Sequence, residues 1–174
     1  MARKKRKMID KTNYHFKAKG RGYSVDMRID LNRQNKNCVE GQFELDTAVM
    51  FSMVRFMAYG DDAGSGTFIQ KTRQKSASIA GSGQVYAAAA PEGRFLYEGK
   101  NMVDEETGST YARKGARKVL VSKYSGVTKA KEDLEYNKSH NPDAQAHWFI
   151  PAKRADCAKW VRIAKQTAGG GRHG

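Results

Sequence analysis

The chain has 174 residues, of which 32 are Lys or Arg and 18 are Asp or Glu, so its formal net charge at pH 7 is +14. Its hydrophobic content of 39% is enough for one modest core, and we expect one domain with extensions. No run of about 18 apolar residues is present, so no membrane-spanning helix is predicted, and the basic N-terminus lacks the apolar stretch of a secretory signal.

The positive charge is concentrated in residues 1–22, 107–131 and 153–174, while the rest of the sequence is mildly acidic. A block such as residues 3–7 repels itself and cannot pack into a core, so residues 1–22 are predicted to be a basic flexible arm. Basic segments of this kind either contact a polyanion or an acidic protein surface or stay solvated. The candidate contact residues are Arg3, Lys4, Lys5, Arg6, Lys7, Arg113, Lys114, Arg117 and Lys118.

The first half of the predicted domain contains a strand and a helix. Residues 23–31 alternate between apolar and polar side chains, which predicts a strand with one buried face. The polar residues 32–37 are typical of a turn. Residues 42–59 carry apolar stripes at helical spacing, which predicts a central helix with Glu44 and Asp46 near its positive end. We interpret the methionines of this helix as core filling rather than as an adaptable binding surface.

The middle of the chain is predicted to be a short sheet followed by an insertion. Glycine-rich turns separate three strand candidates, at residues 76–79, 84–88 and 94–98. Residues 99–142 lack sustained periodicity and are too long for an ordinary loop. They are therefore predicted to be a functional insertion, either a long hairpin or an extended arm.

The last predicted element is a helix within residues 144–168 that begins near Pro151, because proline is favoured in a first helical turn. Residues 169–174 are rich in glycine and are predicted to be a flexible tail. Together the elements predict a single α+β domain over residues 23–168, with a small antiparallel sheet packed on the central helix and the C-terminal helix.

No catalytic or metal-binding pattern stands out. The four histidines lack the spacing of metal ligands, and Cys38 and Cys157 are too isolated to indicate a disulfide framework. Glu98 and the acids at residues 104–106 are interpreted as solvent-facing rather than as a two-metal nuclease cluster. We therefore expect a protein that is not an enzyme and has no cofactor.

Three stretches carry a resemblance to a known family. They are Tyr97-Glu-Gly-Lys-Asn-Met-Val-Asp104, Thr107-Gly-Ser-Thr-Tyr-Ala-Arg-Lys-Gly115 and Asn141-Pro-Asp-Ala-Gln-Ala-His-Trp-Phe-Ile-Pro-Ala-Lys153, with Trp160 following. In this order and spacing they resemble the minor capsid proteins of tailed bacteriophages, in the neck or tail-completion class that joins head to tail. The resemblance covers residues 45–166, and the basic arm over residues 1–22 is not a feature of that family.

The resemblance implies a non-catalytic subunit of the virion neck, assembled in the host cytoplasm. It implies a ring of copies of the chain around the DNA channel, with the phage connector and tail-terminator rings as neighbours and no membrane. The basic arms suit either the acidic surfaces of the adjoining rings or contact with the DNA in the channel. By position the resemblance implies that Trp148, Phe149 and Trp160 anchor the final helix on the sheet. It also implies that Tyr97, Gly99, Tyr111 and Ala112 lie in a hairpin-and-loop region facing neighbouring rings. A nucleic-acid-binding protein with basic arms is the alternative.

Overall fold

A computed structural model describes residues 13–59, 67–90, 93–111, 114–126 and 131–169. Within these residues the chain has the predicted α+β fold. The elements in chain order are β1 (Asn13–Gly20), β2 (Tyr23–Asp30), α1 (Asn32–Val54), α2 (Thr67–Ile79), α3 (Gly93–Glu98), β3 (Met102–Asp104), β4 (Lys118–Leu120), a short 3-10 turn (Val121–Lys123) and α4 (Phe149–Ala168).

β1 and β2 form a two-stranded antiparallel hairpin at the start of the described chain. β2 confirms the predicted strand. The predicted boundary at residue 22 between arm and domain is wrong, because it falls in the turn of this hairpin and residues 13–20 belong to β1. The predicted burial of one face of the strand is also wrong, since both faces of the hairpin are exposed. Residues 1–12, which include the basic block, lie outside the described residues.

The central helix is longer than predicted, because α1 begins at Asn32 instead of residue 42. The polar residues 32–37 therefore form its first turns, and the turn predicted there is wrong. A contact between distant parts of the chain holds this end, as the Gln34 side-chain amide donates to the carbonyl of Ala168 at 2.8 Å. Glu44 and Asp46 consequently lie in the middle of α1 and not at its positive end.

Helices α1 and α4 pack against each other along most of their lengths, which confirms the predicted pairing of the central and C-terminal helices. At one end, Gly41 lets the two backbones approach, because a Cβ there would lie 3.3 Å from the amide nitrogen of Ala168. At the other end, Trp160 is buried and donates its indole N–H to the Ser52 hydroxyl at 3.0 Å.

The core lies between the helices and not under a sheet. Its buried members come from the end of α1 and the residues just after it, from α2, from the loop before α3, and from α4 with the residue before it. They are Met50, Met53, Phe56, Met57, Phe68, Ile69, Ala89, Trp148, Ala152 and Trp160. The interpretation of the α1 methionines as core filling is confirmed for Met50, Met53 and Met57. Unbranched methionine side chains suit the irregular space where three helices converge.

Two of the three strand candidates in the middle of the chain are helical. Residues 76–79 end helix α2, and residues 94–98 lie in α3. Residues 84–88 form no strand, because the backbone of Tyr86 bonds to a side chain and not to a neighbouring strand. The buried Ser76 hydroxyl donates to the Tyr86 carbonyl at 3.1 Å and accepts from the Tyr86 amide at 3.0 Å.

Asp46 fixes the turn that leads out of α2. Its buried carboxylate accepts the backbone N–H groups of Gly81 and Gly83 at 2.8 and 3.0 Å, and the Gln42 amide at 2.7 Å. Both glycines have positive φ, which a side chain would disfavour. The carboxylate therefore connects α1 to this turn without leaving its charge uncompensated in the interior.

The insertion over residues 99–142 lies against its own chain. The expected hairpin is present but short, with Met102 opposite Leu120 and Asp104 opposite Lys118. Further along, the Asn141 side-chain amide donates to the carbonyls of Val54 and Met57, both at 3.0 Å, where α1 ends. The insertion is thus partly a structural cover and not wholly an extended arm.

Helix α4 begins close to Pro151, as predicted. Trp148, immediately before the helix, is fully buried, lies edge-on to the rings of Phe68 and Tyr97, and donates its indole N–H to the carbonyl of Ala87 at 2.8 Å. The anchor residues Trp148 and Trp160 therefore pack the last helix against other helices. The implied packing of the anchor residues on a sheet is wrong. Of the predicted tail, only Gly169 is described, and its amide donates to Lys165 O at 2.9 Å.

We expect Trp148→Ala to lower the free energy of unfolding by about 3–5 kcal/mol, because it opens a cavity and leaves the Ala87 carbonyl without its indole partner. Urea unfolding followed by circular dichroism measures this loss. The matched control is Phe149→Ala, whose ring is 37% exposed and which should cost much less. Equal losses for the two variants would contradict the anchor role of Trp148.

A second prediction concerns Tyr136, whose hydroxyl donates to the Leu96 carbonyl. Burial raises the pKa of Tyr136 to about 12, whereas an unfolded tyrosine ionises near pH 10, at about its reference pKa. Between these values the unfolded state releases the proton and the folded state keeps it. The resulting stabilisation is therefore complete below about pH 10 and is lost as the pH rises towards about 12.

Tyr136→Phe removes the ionisable group, so stability should fall less steeply between about pH 10 and 12 than in the parent protein. Urea unfolding at a series of pH values measures this slope. Tyr111→Phe is the control, because Tyr111 is 89% exposed. A pH dependence unchanged in Tyr136→Phe, or altered equally in both variants, would contradict the prediction.

Candidate interaction surfaces

One face of the β1–β2 hairpin is apolar and faces solvent. Directly opposed residues of an antiparallel pair share a face, and the register places Phe16 opposite Met27 and Ala18 opposite Val25. Phe16 is 55% exposed and Met27 is 52% exposed. Together with Tyr14 and Ile29, the next pair in register, these residues form a surface that we call the hairpin apolar face.

The opposite face of the hairpin is polar and charged. Asp26 lies at its centre, with the His15 ring nitrogen at 2.5 Å and the Lys17 and Arg28 side chains both at 3.9 Å. All four side chains are exposed, so these contacts contribute little to stability. The hairpin is therefore amphipathic, with a charged face on one side and the half-exposed Phe16, Val25 and Met27 on the other.

A second exposed surface runs along α1. Residues three, four, seven and eleven apart fall on one side of a helix, and the exposed or half-buried side chains on that side are Glu40, Phe43, Glu44, Thr47 and Phe51. We call this set the α1 ridge. Phe51 is its most prominent member at 56% exposed, and the Arg73 guanidinium lies 4.8 Å from its ring centroid.

The α1 ridge stands between two grooves. The groove towards α2 has a volume of about 360 Å³ and includes Met50 and Ala77 in its lining. The groove towards α4 has a volume of about 490 Å³ and includes Ala48 and Ile163. Phe51 lines both grooves, so its ring projects between them. The groove towards α4 is lined mainly by polar and charged side chains, among them Glu44, Arg55 and Lys159.

The basic residues predicted in the insertion are exposed where they are described. Lys114, Arg117 and Lys118 face solvent, with Arg117 3.8 Å from Glu105 and the Lys118 ammonium donating to the Thr110 carbonyl at 2.8 Å. The other candidate contact residues lie outside the described residues, and they are Arg3, Lys4, Lys5, Arg6, Lys7 and Arg113. The structure thus describes three of the nine candidate contact residues, and all three are exposed.

Helix α4 adds a basic surface from the third charged segment, residues 153–174, which the list of candidate contact residues did not include. Arg154, Arg162 and Lys165 are exposed on the side of the helix that faces away from α1. Asp156 is the only acidic residue in α4, and it lies half-buried on the other side. The outward face of α4 therefore carries positive charge without acidic neighbours on the same helix.

The four residues implied to face neighbouring rings do not form one surface. Tyr97 lies in α3 with its ring 4.9 Å from that of Trp148, so its implied place in an outward hairpin or loop is wrong. Gly99 is buried with φ of +69°, and a Cβ there would lie 2.9 Å from that of Ala146. Tyr111 is exposed, and Ala112 lies outside the described residues.

Asp104 is buried, so its interpretation as solvent-facing is wrong, whereas Glu98, Glu105 and Glu106 are exposed as expected. The Asp104 carboxylate accepts the backbone N–H groups of Glu106 and Thr107 at 2.9 and 3.1 Å, which fixes the turn after β3. His147 packs edge-on against Tyr97 and lies 3.8 Å from Glu98. In the described ranges, no group of three or more His, Cys, Asp or Glu residues could hold a metal ion.

Comparison with known proteins adds no relative. No protein-family model matches the chain, and neither does any curated protein or solved structure. Among the described residues, no helix has the length and apolarity required to cross a bilayer.

The sequence reasoning missed the hairpin apolar face, although a signal for it is present. Tyr14, Phe16 and Ala18 alternate with polar residues just as residues 23–31 do, and the glycines at 20 and 22 mark the turn between them. For the α1 surface, residues 48–59 are apolar nearly all round, which indicates either a central helix or an oligomer contact.

Proposed function

We propose that this protein is a structural subunit of the neck of a tailed bacteriophage. Copies of the chain form a ring around the DNA channel, between the head-side connector and the tail. The subunit is not an enzyme and takes no cofactor. Its partners are other copies of itself and the adjoining connector and tail-terminator rings.

The observation that carries this proposal is the uncovered hairpin apolar face. A two-stranded sheet is at best marginally stable alone, and contiguous exposed apolar surface on a protein marks sites of association. Phe16, Val25 and Met27 are each about half exposed, at 55%, 46% and 52%. A subunit that assembles with copies of itself has a use for such a surface.

The resemblance carried by residues 45–166 is the reason for proposing a phage neck and not another assembly. Its most specific part is the Ala146-His-Trp-Phe149 stretch with Ala152-Lys153 and Trp160. Two of its large residues, Trp148 and Trp160, are buried at the centre of the fold. This burial supports a structural role for the motif, since its aromatic residues hold the helices together and are not gathered around a cleft.

The proposal predicts the result of deleting the gene from the phage or prophage that carries it. Assembly should stop after packaging and leave DNA-filled heads and tails that are not joined, visible by negative-stain electron microscopy. Expression of the protein from a plasmid should restore complete particles. Normal particles from the deletion strain would contradict the proposal.

The basic face of α4 favours a second function, nucleic-acid binding. Arg154, Arg162 and Lys165 are exposed on one side of the helix, where they can contact phosphates. The formal net charge of +14 adds a general attraction to polyanions. Under this alternative the chain is a nucleic-acid-binding protein, and phage assembly is not its task.

This alternative predicts that the affinity for double-stranded DNA falls steeply with salt concentration. Replacing Arg162 by Ser should lower the slope of log affinity against log salt by about one if the residue contacts a phosphate. Fluorescence anisotropy with a labelled duplex measures the slope. Lys36→Ser is the control, because Lys36 is equally exposed but lies in the first turns of α1. Equal slopes for both variants would contradict DNA contact through α4.

A further inference from the structure

We infer that helix α2 carries a binding site for double-stranded DNA on its outward face. Lys71 and Lys75 contact phosphates of one strand, and the side-chain amide of Gln74 points into the major groove. The inference goes beyond the proposed function, in which α2 has no role. The site is also separate from the basic face of α4, so each of the two surfaces has a test of its own.

Helix α2 is held on the core by one narrow side. Two hydroxyl side chains on that side bond to the loop before α3. The Thr72 hydroxyl accepts the Ala89 amide at 3.0 Å, and the Ser76 hydroxyl accepts the Tyr86 amide at 3.0 Å. The buried residues of α2 recur at intervals of three and four, as expected for one side of a helix, and they are Phe68, Ile69, Thr72 and Ser76. The rest of the helix surface therefore faces outward.

The outward face of α2 is polar and basic. Seven of its residues are exposed, of which three are basic and two are glutamine, and the others are Ala77 and Ser78. The sequence from Thr67 to Ile79 contains no Asp or Glu. The helix thus brings three positive charges to the surface and no negative charge of its own.

The amides and the lysines form two neighbouring lines along the helix. Residues four apart follow one another along the same side, which places Gln70, Gln74 and Ser78 in one line and Lys71 and Lys75 in the next. The two lysines lie about 6 Å apart along the helix axis. Because one DNA strand carries a phosphate every 3.4 Å or so along its axis, roughly, the two lysines can contact different phosphates of one strand.

Neighbouring acids do not neutralise the two lysines. In the part of the chain that the structure describes, no acidic side chain pairs with Lys71 or Lys75, whereas Lys100 and Lys131 each have a carboxylate partner. Surface cations without acidic partners attract polyanions, and the counterions released from DNA make phosphate contact favourable. The charge of this face is therefore available to a phosphate backbone.

The acidic side chains of α1 lie away from the two lysines. The Arg73 guanidinium lies 4.8 Å from the ring centroid of Phe51, so α1 runs past the side of α2 opposite to Lys71. Asp46 of α1 is buried and already accepts three N–H groups. Glu44 lines the groove towards α4 and not the groove towards α2. A duplex that approaches from the lysine side therefore meets positive charge.

The composition of this face favours DNA over an acidic protein surface. Interfaces between proteins have a core rich in aromatic and apolar side chains and depleted in lysine. Interfaces between proteins and DNA are more polar and much more positively charged. Ala77 is the largest apolar residue among the exposed side chains of α2, so this face offers no apolar anchor to a protein partner.

The dimensions of α2 suit the major groove of B-form DNA. A helix with its side chains is about 10–12 Å across, and this groove is about 12 Å wide. The 13 residues of α2 span about 20 Å. Glutamine amides donate to and accept from base edges in this groove, and small residues such as Ala77 and Ser78 allow a close approach. Duplex RNA is a poorer partner, because its major groove is too deep and narrow for side chains to read.

A matched pair of double variants of the full chain tests the lysines by fluorescence anisotropy with a labelled DNA duplex. Lys71→Gln combined with Lys75→Gln removes two charges from α2 and keeps a good helix former at both positions. This variant should lower the slope of log affinity against log salt by about two, and weaken binding by about tenfold or more at low salt. The control is Lys36→Gln combined with Lys138→Gln, which removes two charges from exposed positions elsewhere and should keep the parent slope.

A further variant, Gln74→Ala, tests the position of the amide. It should weaken binding by about fivefold without changing the salt slope, because it removes a contact in the groove and no charge. Gln84→Ala is the control, since Gln84 is exposed but lies outside α2. Equal affinities for the two variants would show that α2 does not enter the groove.

Several outcomes would overturn the inference. A parent protein that does not bind the duplex, or equal salt slopes for the two double variants, would show that α2 makes no phosphate contact. Binding of polyglutamate as tight as binding of the duplex would indicate a general attraction to acidic chains, as would be needed for an acidic protein partner. If the double variant loses helical circular dichroism, Lys71→Gln alone should lower the slope by about one, and an unchanged slope would count against the site.

The proposed function has a separate readout. If the deletion strain makes complete particles while Lys71→Gln with Lys75→Gln still weakens DNA binding, the neck proposal fails and the α2 site stands. If the deletion stops assembly while the double variant binds DNA like the parent protein, the α2 site fails and the neck proposal stands.

Discussion

The indole of Trp148 is the point at which the helices of this protein meet. Its ring contacts Phe68 of α2 and Tyr97 of α3, and its N–H donates to the carbonyl of Ala87. Because one fully buried side chain connects α2, α3 and the start of α4, the body is rigid without any sheet in its core. The β1–β2 hairpin is left at the surface, whereas β3 is buried at Val103 and Asp104.

That arrangement explains the exposed aromatic surface of α1. The inner side of α1 is occupied by the methionine-rich core and by α4, so Phe51 on its outer side is 56% exposed. The hairpin is attached to α1 through Leu31 alone, and its Phe16 and Met27 side chains are each about half exposed. A subunit that associates with copies of itself has a use for apolar surface of this kind.

Elements that are marked by an unambiguous sequence pattern could be predicted from the sequence. Strand β2, the middle of α1 and the start of α4 follow from alternation, helical stripes and Pro151. Elements determined by distant contacts could not be predicted. Residues 32–37 are helical where Gln34 bonds the end of α4, and residues 84–88 bond the Ser76 hydroxyl instead of a strand. Of the candidate site, exposed lysines and arginines were predictable, whereas the exposure of Phe16 and Phe51 depends on packing that sequence patterns do not specify.

The most direct measurement of the central claim is a photo-cross-linking experiment between isotopically distinct copies. A photo-reactive amino acid at position 27 is incorporated into protein labelled with ¹⁵N, which is then mixed with unlabelled protein and irradiated. The account predicts cross-links from the labelled hairpin to unlabelled copies, identified by mass spectrometry. Cross-links confined to the same copy would contradict it.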